Sequence, residues 1–155
     1  MADVAVARVI LVIDDDANVR RSVGDVLKRA GWGVEQAVDG EAGLRLIEQR
    51  TAPYALVITD LQMPQIDGRV VAETLGQCRP GQAVLCMSGS AAAYPPVGPR
   101  DTAFPFLAKP FTQQALHRAV GHAIEHATLE RQARVAELRQ ATRDLVAYAR
   151  ALRGR

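Results

Sequence analysis

Six side chains that can bind a metal or react with a phosphoryl group stand at the ends of short hydrophobic runs. They are Asp14, Asp15 and Asp16 after one run, Asp60 after a second, Ser88 after a third and Lys109 after a fourth. Crowded carboxylates repel one another and are stabilised by a cation, and oxygen ligands with room for water suit Mg²⁺. An aspartate can attack a phosphoryl group, while an amine and a hydroxyl can stabilise charge on the transferred oxygens. The residue types therefore indicate phosphoryl chemistry at an acidic metal site.

Each of these residues also has a simpler interpretation. The acidic triplet could cap a helix and leave its neighbours in solvent. Asp60 could form the turn that precedes Met63 and Pro64. Ser88 and Lys109, taken singly, could be surface polar groups. Their common position at the ends of four predicted strands favours their interpretation as one site.

The elements that would position these residues are strands and helices in alternation. Hydrophobic runs predict strands at 9–13, 32–38, 54–59, 83–87 and 104–108. Helices are predicted to begin near Asp16, Asp39, Asp67 and Thr112. The first helix is indicated by the spacing of Val19, Val23, Val26 and Leu27, and the third is suggested by Val70, Val71, Thr74 and Leu75. The second has Ala42, Leu44, Leu46 and Ile47 as candidate inner positions. This alternation predicts a doubly wound α/β fold, in which ligands bind at the carboxyl ends of the strands.

Four motifs together resemble those of two-component response-regulator receiver domains. They are Ile10-Leu-Val-Ile-Asp-Asp-Asp16 followed by Arg20, Ile58-Thr-Asp-Leu-Gln-Met-Pro64 with Asp67-Gly68, Met87-Ser-Gly89, and Lys109-Pro-Phe111. The motifs occur in the order and spacing of that family, and the resemblance covers residues 7 to about 126. It implies a flavodoxin-like, five-stranded parallel sheet in the order 2-1-3-4-5, with an extended C-terminal helix in this chain.

The resemblance implies a phosphorylation role for several of the matching positions. Asp60 would be the phosphoacceptor, and Lys109 would pair with the phosphoryl group. Ser88 would move to bond that group, and Phe106 matches the aromatic switch position of the family. The alternative for Phe106 is a plain core aromatic, because it lacks the hydroxyl that many family members have there.

The resemblance also implies a magnesium site. Asp15 would bind Mg²⁺ directly and Asp14 largely through water. Asp60 and the backbone carbonyl of Gln62 would complete the protein ligands. Asp16 instead occupies the predicted start of the first helix.

The stretch at 91–105 departs from the family pattern. It contains Pro95, Pro96, Pro99 and Pro105, which cannot all lie inside one helix. A Met-Ser-Gly motif with a proline-rich sequel resembles receivers attached to hybrid histidine kinases. The family's usual output face, formed by its fourth helix, fifth strand and fifth helix, is therefore not expected in ordinary form.

The C-terminal residues 128–155 are predicted to form a basic helical extension beyond a receiver domain at 1–127. They carry seven arginines and three acids, which gives +4 and leaves −2 for residues 1–127. The absence of proline predicts a helix from Thr112 to about Leu152. Leu138, Leu145 and Leu152 are spaced by seven, with Ala141 and Tyr148 between them, as in a short coiled coil. The alternative is a solvated, arginine-rich helix that folds back on the domain.

The sequence therefore predicts a phosphoacceptor that receives its phosphoryl group from a histidine kinase or phosphotransfer protein. It would signal to a partner by conformational change, with a homodimer formed through the C-terminal helix. Self-catalysed gain and loss of the aspartyl phosphate is the only catalysis expected. One alternative is a nucleic-acid-binding regulator, although Tyr148 is the only aromatic residue in the basic helix. Another is a metal-dependent phosphatase, although Gln62 occupies the position of the second acid that such enzymes use.

Cysteine usage and hydropathy bear on the location of the protein. Cys78 and Cys86 are the only cysteines, and neither belongs to a metal-binding cluster. The apolar start of the chain is interrupted by Asp3 and Arg8, and no run approaches the roughly 20 apolar residues that span a bilayer. These features predict a cytoplasmic protein without a membrane partner.

Overall fold

A computed structural model describes residues 8–89 and 104–154, which form one sheet with helices on both faces. The strands are β1 (Val9–Ile13), β2 (Gly33–Ala37), β3 (Leu56–Asp60), β4 (Val84–Ser88) and β5 (Phe106–Ala108). The helices are α1 (Ala17–Arg29), α2 (Gly40–Gln49), α3 (Gly68–Cys78) and α4 (Gln113–Arg153). The predicted strands are confirmed, with β2, β3 and β5 shorter than expected. The prediction for 91–105 lies almost wholly outside the described residues.

The sheet has the order β2-β1-β3-β4-β5, and every neighbouring pair is parallel. This confirms the predicted fold class and strand order. The chain runs from β1 outward to β2 and then returns to the other side of β1 as β3. The reversal leaves a crevice at the carboxyl ends of β1 and β3, which is where such folds bind ligands.

The core consists of two layers, one on each face of the sheet. Alternate residues of the central strands point to opposite faces, as the pleat of a strand requires. Ile10, Val12 and Ile58 pack beneath α1 and α4, whereas Leu11 and Ile13 pack beneath α2 and α3. Because both faces are covered, β1, β3 and β4 are hydrophobic along almost their entire length. The polar side chains that end these strands are the exceptions.

Each helix begins with a side chain that caps its backbone. Asp16 accepts hydrogen bonds from the N–H groups of Asn18 and Val19. Asp39, Asp67 and Thr112 cap α2, α3 and α4 in the same way. Such caps are worth about 1 kcal/mol each. They fix the predicted helix starts within a few residues of the carboxyl ends of the strands, and so they shape the crevice.

The orientation of α3 is set by a glycine at its start. Val70 is 46% exposed, whereas α3 buries Val71, Ala72 and Leu75. Gly68 explains this orientation, because a Cβ atom there would overlap the carbonyl oxygen of Asp60. The helix must therefore present this glycine to the strand, and that contact turns Val70 outward.

The helix α4 has 41 residues, about 60 Å at 1.5 Å per residue. Its first half packs on the sheet through Leu116, Val120, Ala123 and Ala127. Residues 129–154 are all exposed, so the alternative in which the helix folds back on the domain is wrong for the described chain. Arg131 donates a hydrogen bond of 3.0 Å to the carbonyl of Gly81, beside the point where the helix leaves the sheet. None of the described helices is long and apolar enough to cross a membrane.

Candidate functional site

The carboxyl edge of the sheet brings together side chains that are far apart in sequence. Asp14 follows β1, Asp60 ends β3, Ser88 ends β4 and Lys109 follows β5. In the sheet order, β1 and β3 are neighbours, and β4 and β5 follow next to them. The four strand ends therefore form one continuous edge, as the sequence predicted.

Lys109 joins the two buried acids of this edge. Its Nζ lies 2.7 Å from Oδ2 of Asp14 and 3.4 Å from Oδ2 of Asp60. The side chain of Asp14 is fully buried, and those of Asp60 and Lys109 are largely buried. An ion pair between buried groups is favourable only when the remaining hydrogen-bonding capacity of both groups is also satisfied. The surroundings of Asp14 meet that condition.

Asp14 is held from several directions. Its Oδ1 accepts a hydrogen bond of 2.9 Å from the backbone N–H of Asp16, while Oδ2 accepts from Lys109. Arg20 donates to the backbone carbonyl of Asp14 at 2.7 Å. Arg20 was noted in the sequence only as part of a motif, and the structure gives it a positioning role. Asp14 is therefore a fixed carboxylate beneath the site.

The environment of Asp60 raises the pKa of its carboxyl group. Burial is the largest cause, and the nearby charge of Asp14 adds to it. The backbone N–H of Gln62, 3.2 Å from Oδ1 of Asp60, and the ammonium group of Lys109 oppose the increase. Burial alone would lower the pKa of Lys109, but its hydrogen bond to Asp14 and the charges of both acids raise it above the ordinary value. Lys109 is thus a cation that faces two acids.

A metal ion would find three carboxylates at this edge. One oxygen each of Asp14, Asp15 and Asp60 lie within 4.8 Å of one another. Asp15 is exposed, so it can bind a cation that keeps several water ligands, as Mg²⁺ does. Asp16 does not belong to this group, because its carboxylate caps α1. The donor set therefore fits Mg²⁺. Asp16 caps α1 as expected, and direct binding of the ion by Asp15 stays a prediction.

Ser88 ends β4 beside the site, and Phe106 begins the neighbouring strand β5. Ser88 is 1% exposed, and its carbonyl accepts a hydrogen bond of 2.8 Å from the N–H of Lys109. Phe106 is partly buried and packs against the core layer beneath α2 and α3. In the sheet register, Phe106 pairs with Cys86, and Ala108 pairs with Ser88. Both predicted switch residues therefore lie on the adjacent strands β4 and β5.

Besides Arg20, two residues that position the site were not predicted as functional residues. Thr59 is fully buried, and its hydroxyl donates to the carbonyl of Asp60 at 3.2 Å. Gly68 allows the start of α3 to approach that same carbonyl. A polar residue inside the otherwise apolar run at 54–59 was the available signal for Thr59. The glycine was recognised only as part of a motif.

Residues 10–121 match the family model of the response regulator receiver domain. The chain belongs to this family. The match covers more than half of the chain and includes all four strand ends of the acidic site. The family predicted from the motifs is therefore confirmed.

Several known proteins are similar to this receiver domain. The transcriptional regulatory protein GlrR of Escherichia coli is 30% identical over 117 residues, which are 75% of this chain and 26% of that protein. The sensor kinase CckA of Brucella abortus is 32% identical over 120 residues, 77% of this chain and 13% of the kinase. The receiver protein CpdR of Brucella abortus is 31% identical over 105 residues, 66% of this chain and 84% of CpdR. The chain thus spans about a quarter or less of the first two proteins.

Solved structures show the same fold. A receiver domain protein from Clostridium thermocellum has 29% identity and a TM-score of 0.67, over 78% of this chain and 97% of that chain. NtrX from Brucella abortus has 27% identity and a TM-score of 0.68, over 86% of this chain and 30% of NtrX. The likeness extends over most of the present chain but only part of NtrX.

We expect Asp60→Asn to stabilise the domain at pH 7 in the presence of a chelator. The raised pKa of Asp60 means that the folded state binds its proton more tightly than the unfolded state. Wild-type stability therefore falls as pH rises through the interval between the two pKa values, and the variant avoids this loss. The variant is therefore expected to have the higher Tm at pH 7.

Circular-dichroism melts of both proteins from pH 3.5 to pH 8 would test this prediction. The difference in Tm should shrink at the acidic end. Asp25→Asn, on the exposed face of α1, serves as the control and should leave Tm unchanged at pH 7. A wild-type protein more stable than Asp60→Asn at pH 7 would contradict the prediction.

Proposed function

We propose that this receiver domain accepts a phosphoryl group on Asp60 from a histidine kinase or phosphotransfer protein, in a reaction that requires Mg²⁺. One observation carries the proposal. The largely buried carboxylate of Asp60 lies 3.4 Å from the ammonium group of Lys109 and shares an edge with two further carboxylates. This arrangement supplies a nucleophile, a cation and oxygen ligands at one place.

The reaction would begin with attack by a carboxylate oxygen of Asp60 on the phosphorus atom of the donor. A bond forms between that oxygen and phosphorus, the bond from phosphorus to the donor's histidine nitrogen breaks, and the imidazole keeps the electron pair. Lys109 can turn from Asp60 toward the new phosphoryl oxygens, because its Nζ already lies between the two acids. When bound, Mg²⁺ would neutralise charge on the transferred oxygens. The Gln62 carbonyl would join Asp14, Asp15 and Asp60 as a ligand.

Ser88 and Phe106 would report the phosphorylated state. Ser88 stands one strand away from Asp60, since Asp60 pairs with Met87 in the sheet register. Movement of the Ser88 hydroxyl toward a phosphoryl oxygen would alter the packing between β4 and β5. Phe106, on β5, would respond to that change because its ring is only partly buried. The two residues would thus convert a local charge into a change on the surface.

The two alternative functions gain no support from the described residues. The position two residues after Asp60 is Gln62, which cannot act as the second acid of a phosphatase. The arginines of the C-terminal helix occur beside exposed leucines, as expected for a protein contact, and Tyr148 is the only aromatic among residues 128–155. The cytoplasmic location stays a prediction.

Incubation with acetyl phosphate and Mg²⁺ should add one phosphoryl group to the wild-type protein. Intact-mass spectrometry should show no addition to Asp60→Asn, because the nucleophile is gone, and none to wild type in EDTA. Asp25→Asn should be modified as wild type is, since Asp25 lies outside the site on the exposed face of α1. Full modification of Asp60→Asn would disprove the assignment of the phosphoacceptor.

Magnesium binding should depend on Asp15 and not on Asp16. Asp16→Ala should lower the free energy of unfolding by about 1 kcal/mol through loss of the helix cap, while it keeps its Mg²⁺ affinity. Asp15→Ala should keep its stability but lose at least about tenfold in affinity, or about 1.4 kcal/mol. Thermal melts over a Mg²⁺ titration measure both quantities. An equal loss of affinity in the two variants would show that the ligand assignment is wrong.

We propose further that the C-terminal helix forms a homodimer. Leu138, Leu145 and Leu152 are 63%, 68% and 59% exposed, and Tyr148 lies between the last two along the helix. Apolar side chains that recur on one face of a solvent-exposed helix mark a contact surface. We call the face formed by Leu138, Ala141, Leu145, Tyr148 and Leu152 the leucine stripe.

The variant Leu138→Asp/Leu145→Asp should be monomeric, because two carboxylates would enter the apolar contact of each helix. Multi-angle light scattering of the full-length chain gives the mass directly. Gln140→Asp/Ala147→Asp carries the same charges on the opposite, exposed face and should remain a dimer. Truncation after Ala127 should also give a monomer. A wild-type protein that is monomeric at high concentration, with and without phosphorylation, would rule out the dimer.

A further inference from the structure

We infer that the C-terminal helices of the homodimer pair in antiparallel orientation, so that the two receiver domains lie at opposite ends of the pair. This inference rests on the homodimer proposed above. It follows from the direction in which the leucine stripe points relative to the sheet, a relation that light scattering does not test.

The leucine stripe lies on the same side of α4 as the residues that pack against the sheet. The packed residues are Leu116, Val120, Ala123 and Ala127, which alternate at intervals of four and three. The same alternation leads through Arg131 and Arg134 to the stripe. At about 100° per residue, its three leucines lie within roughly 20° of the direction of Ala127. The face that binds the sheet therefore continues directly into the stripe.

Arg131 provides a second, independent sign of this direction. Its Nη1 bonds to the carbonyl of Gly81, and its Nη2 bonds to Thr128 of its own helix. Gly81 belongs to the loop that precedes β4, at the amino edge of the sheet. One turn beyond the last packed residue, α4 therefore still turns this face toward the receiver domain. The stripe points into the space directly below the sheet.

A parallel pair would place the two receiver domains in the same space. Paired helices lie about 8–10 Å apart, and a parallel partner would continue alongside α4 past Ala127. On that side, however, the space is filled by β3, β4 and β5, which pack against residues 113–127. The partner's helix would collide with this sheet, and its own domain would face the same obstacle. The continuous face of α4 excludes a parallel pair in which the helix stays straight.

An antiparallel pair avoids this collision. The partner's helix then approaches from below and ends beside the amino edge of the sheet. The exposed segment 132–153 would pair with the same segment of the partner, centred near residues 142 and 143. Its 22 residues correspond to about 33 Å of contact.

The charges of the stripe agree with this orientation. Arg134 lies on the stripe side, between Arg131 and Leu138. In a parallel pair aligned in register, Arg134 would stand directly opposite its own copy, and like charges at such positions are unfavourable. In the antiparallel pair it would lie level with Ala151 of the partner. The orientation thus separates the arginines that a parallel pair would bring together.

Spin-label distances in the full-length dimer would test the orientation. Single cysteines at Ala133, Gln140 and Ala147 are seven residues apart, fully on the exposed side and directed away from the stripe. Cys78 is exposed and would be replaced by serine, whereas Cys86 is buried and would stay unlabelled. Antiparallel pairing predicts axial separations of about 28, 8 and 14 Å for the three positions, from 1.5 Å per residue. Parallel pairing predicts the same distance at all three.

A mixed sample sharpens the test. Chains labelled at Ala133 would be combined with chains labelled at Ala151. Antiparallel pairing places these two labels within about 2 Å of each other along the helix axis, whereas parallel pairing separates them by about 27 Å. Equal distances at the three single positions would overturn the antiparallel orientation but leave the homodimer intact. No dipolar coupling at any position would overturn the homodimer, and with it this inference.

Discussion

The ion pair between Lys109 and Asp14 is the interaction on which the functional edge depends. It connects residues 95 positions apart in sequence, and it ties the end of β5 to the end of β1 across two intervening strands. Asp14 is fully buried, and a buried carboxylate without a partner costs several kcal/mol. The same ammonium group faces Asp60, so one cation holds two acids that would otherwise repel each other.

Burial makes one charge of this site unfavourable for folding. It raises the pKa of Asp60, so keeping that carboxyl group ionised lowers the free energy of unfolding. Three contacts hold the backbone around the acids. Asp16 caps α1, the hydroxyl of Thr59 donates to the carbonyl of Asp60, and Gly68 lies close to that same carbonyl. Because these contacts involve the backbone around the acids, they keep the carboxylates together without covering the exposed Asp15. The site therefore stays open on the side from which a cation or a donor would arrive.

The sequence predicted most of the fold because the strand and helix signals are strong and local. The hydrophobic runs ended within a few residues of the observed strands, and the capping aspartates marked the helix starts. The order of the strands came from the resemblance of the motifs to a family. The orientation of α3 was not predictable from its spacing, because it depends on the contact between Gly68 and the carbonyl of Asp60. The hydrogen bond from Arg20 to the carbonyl of Asp14 was not predicted for a similar reason.

The sequence predicted that Asp14, Asp60, Ser88 and Lys109 lie at one edge of the sheet, as they do. The contacts between their side chains were not predictable from strand ends alone. Lys109 was expected to pair with a phosphoryl group, and in the structure its ammonium group contacts Asp14 and Asp60. Strand position fixes where a Cα lies, whereas the partner of a long side chain depends on the charges within its reach. The heptad spacing of the leucines likewise indicated a contact surface. The direction of that surface relative to the domain depends on the packing of Ala127 and its neighbours against the sheet. The spacing of the leucines alone does not contain this information.

The helix α4 links the two halves of the molecule, and its geometry limits how a signal can travel. Its cap, Thr112, is three residues from Lys109, whereas Ala127 is about 22 Å further along the helix at the opposite edge of the sheet. Coupling requires two arrangements of α4 that differ in their contacts. Small side chains at Ala123 and Ala127 allow the helix to lie close to the sheet, and Arg131 fixes it to Gly81. A shift at the start of α4 would therefore have to slide or tilt the whole packed segment against β4. It would also have to change the contact between Arg131 and Gly81 before any movement reached the leucine stripe.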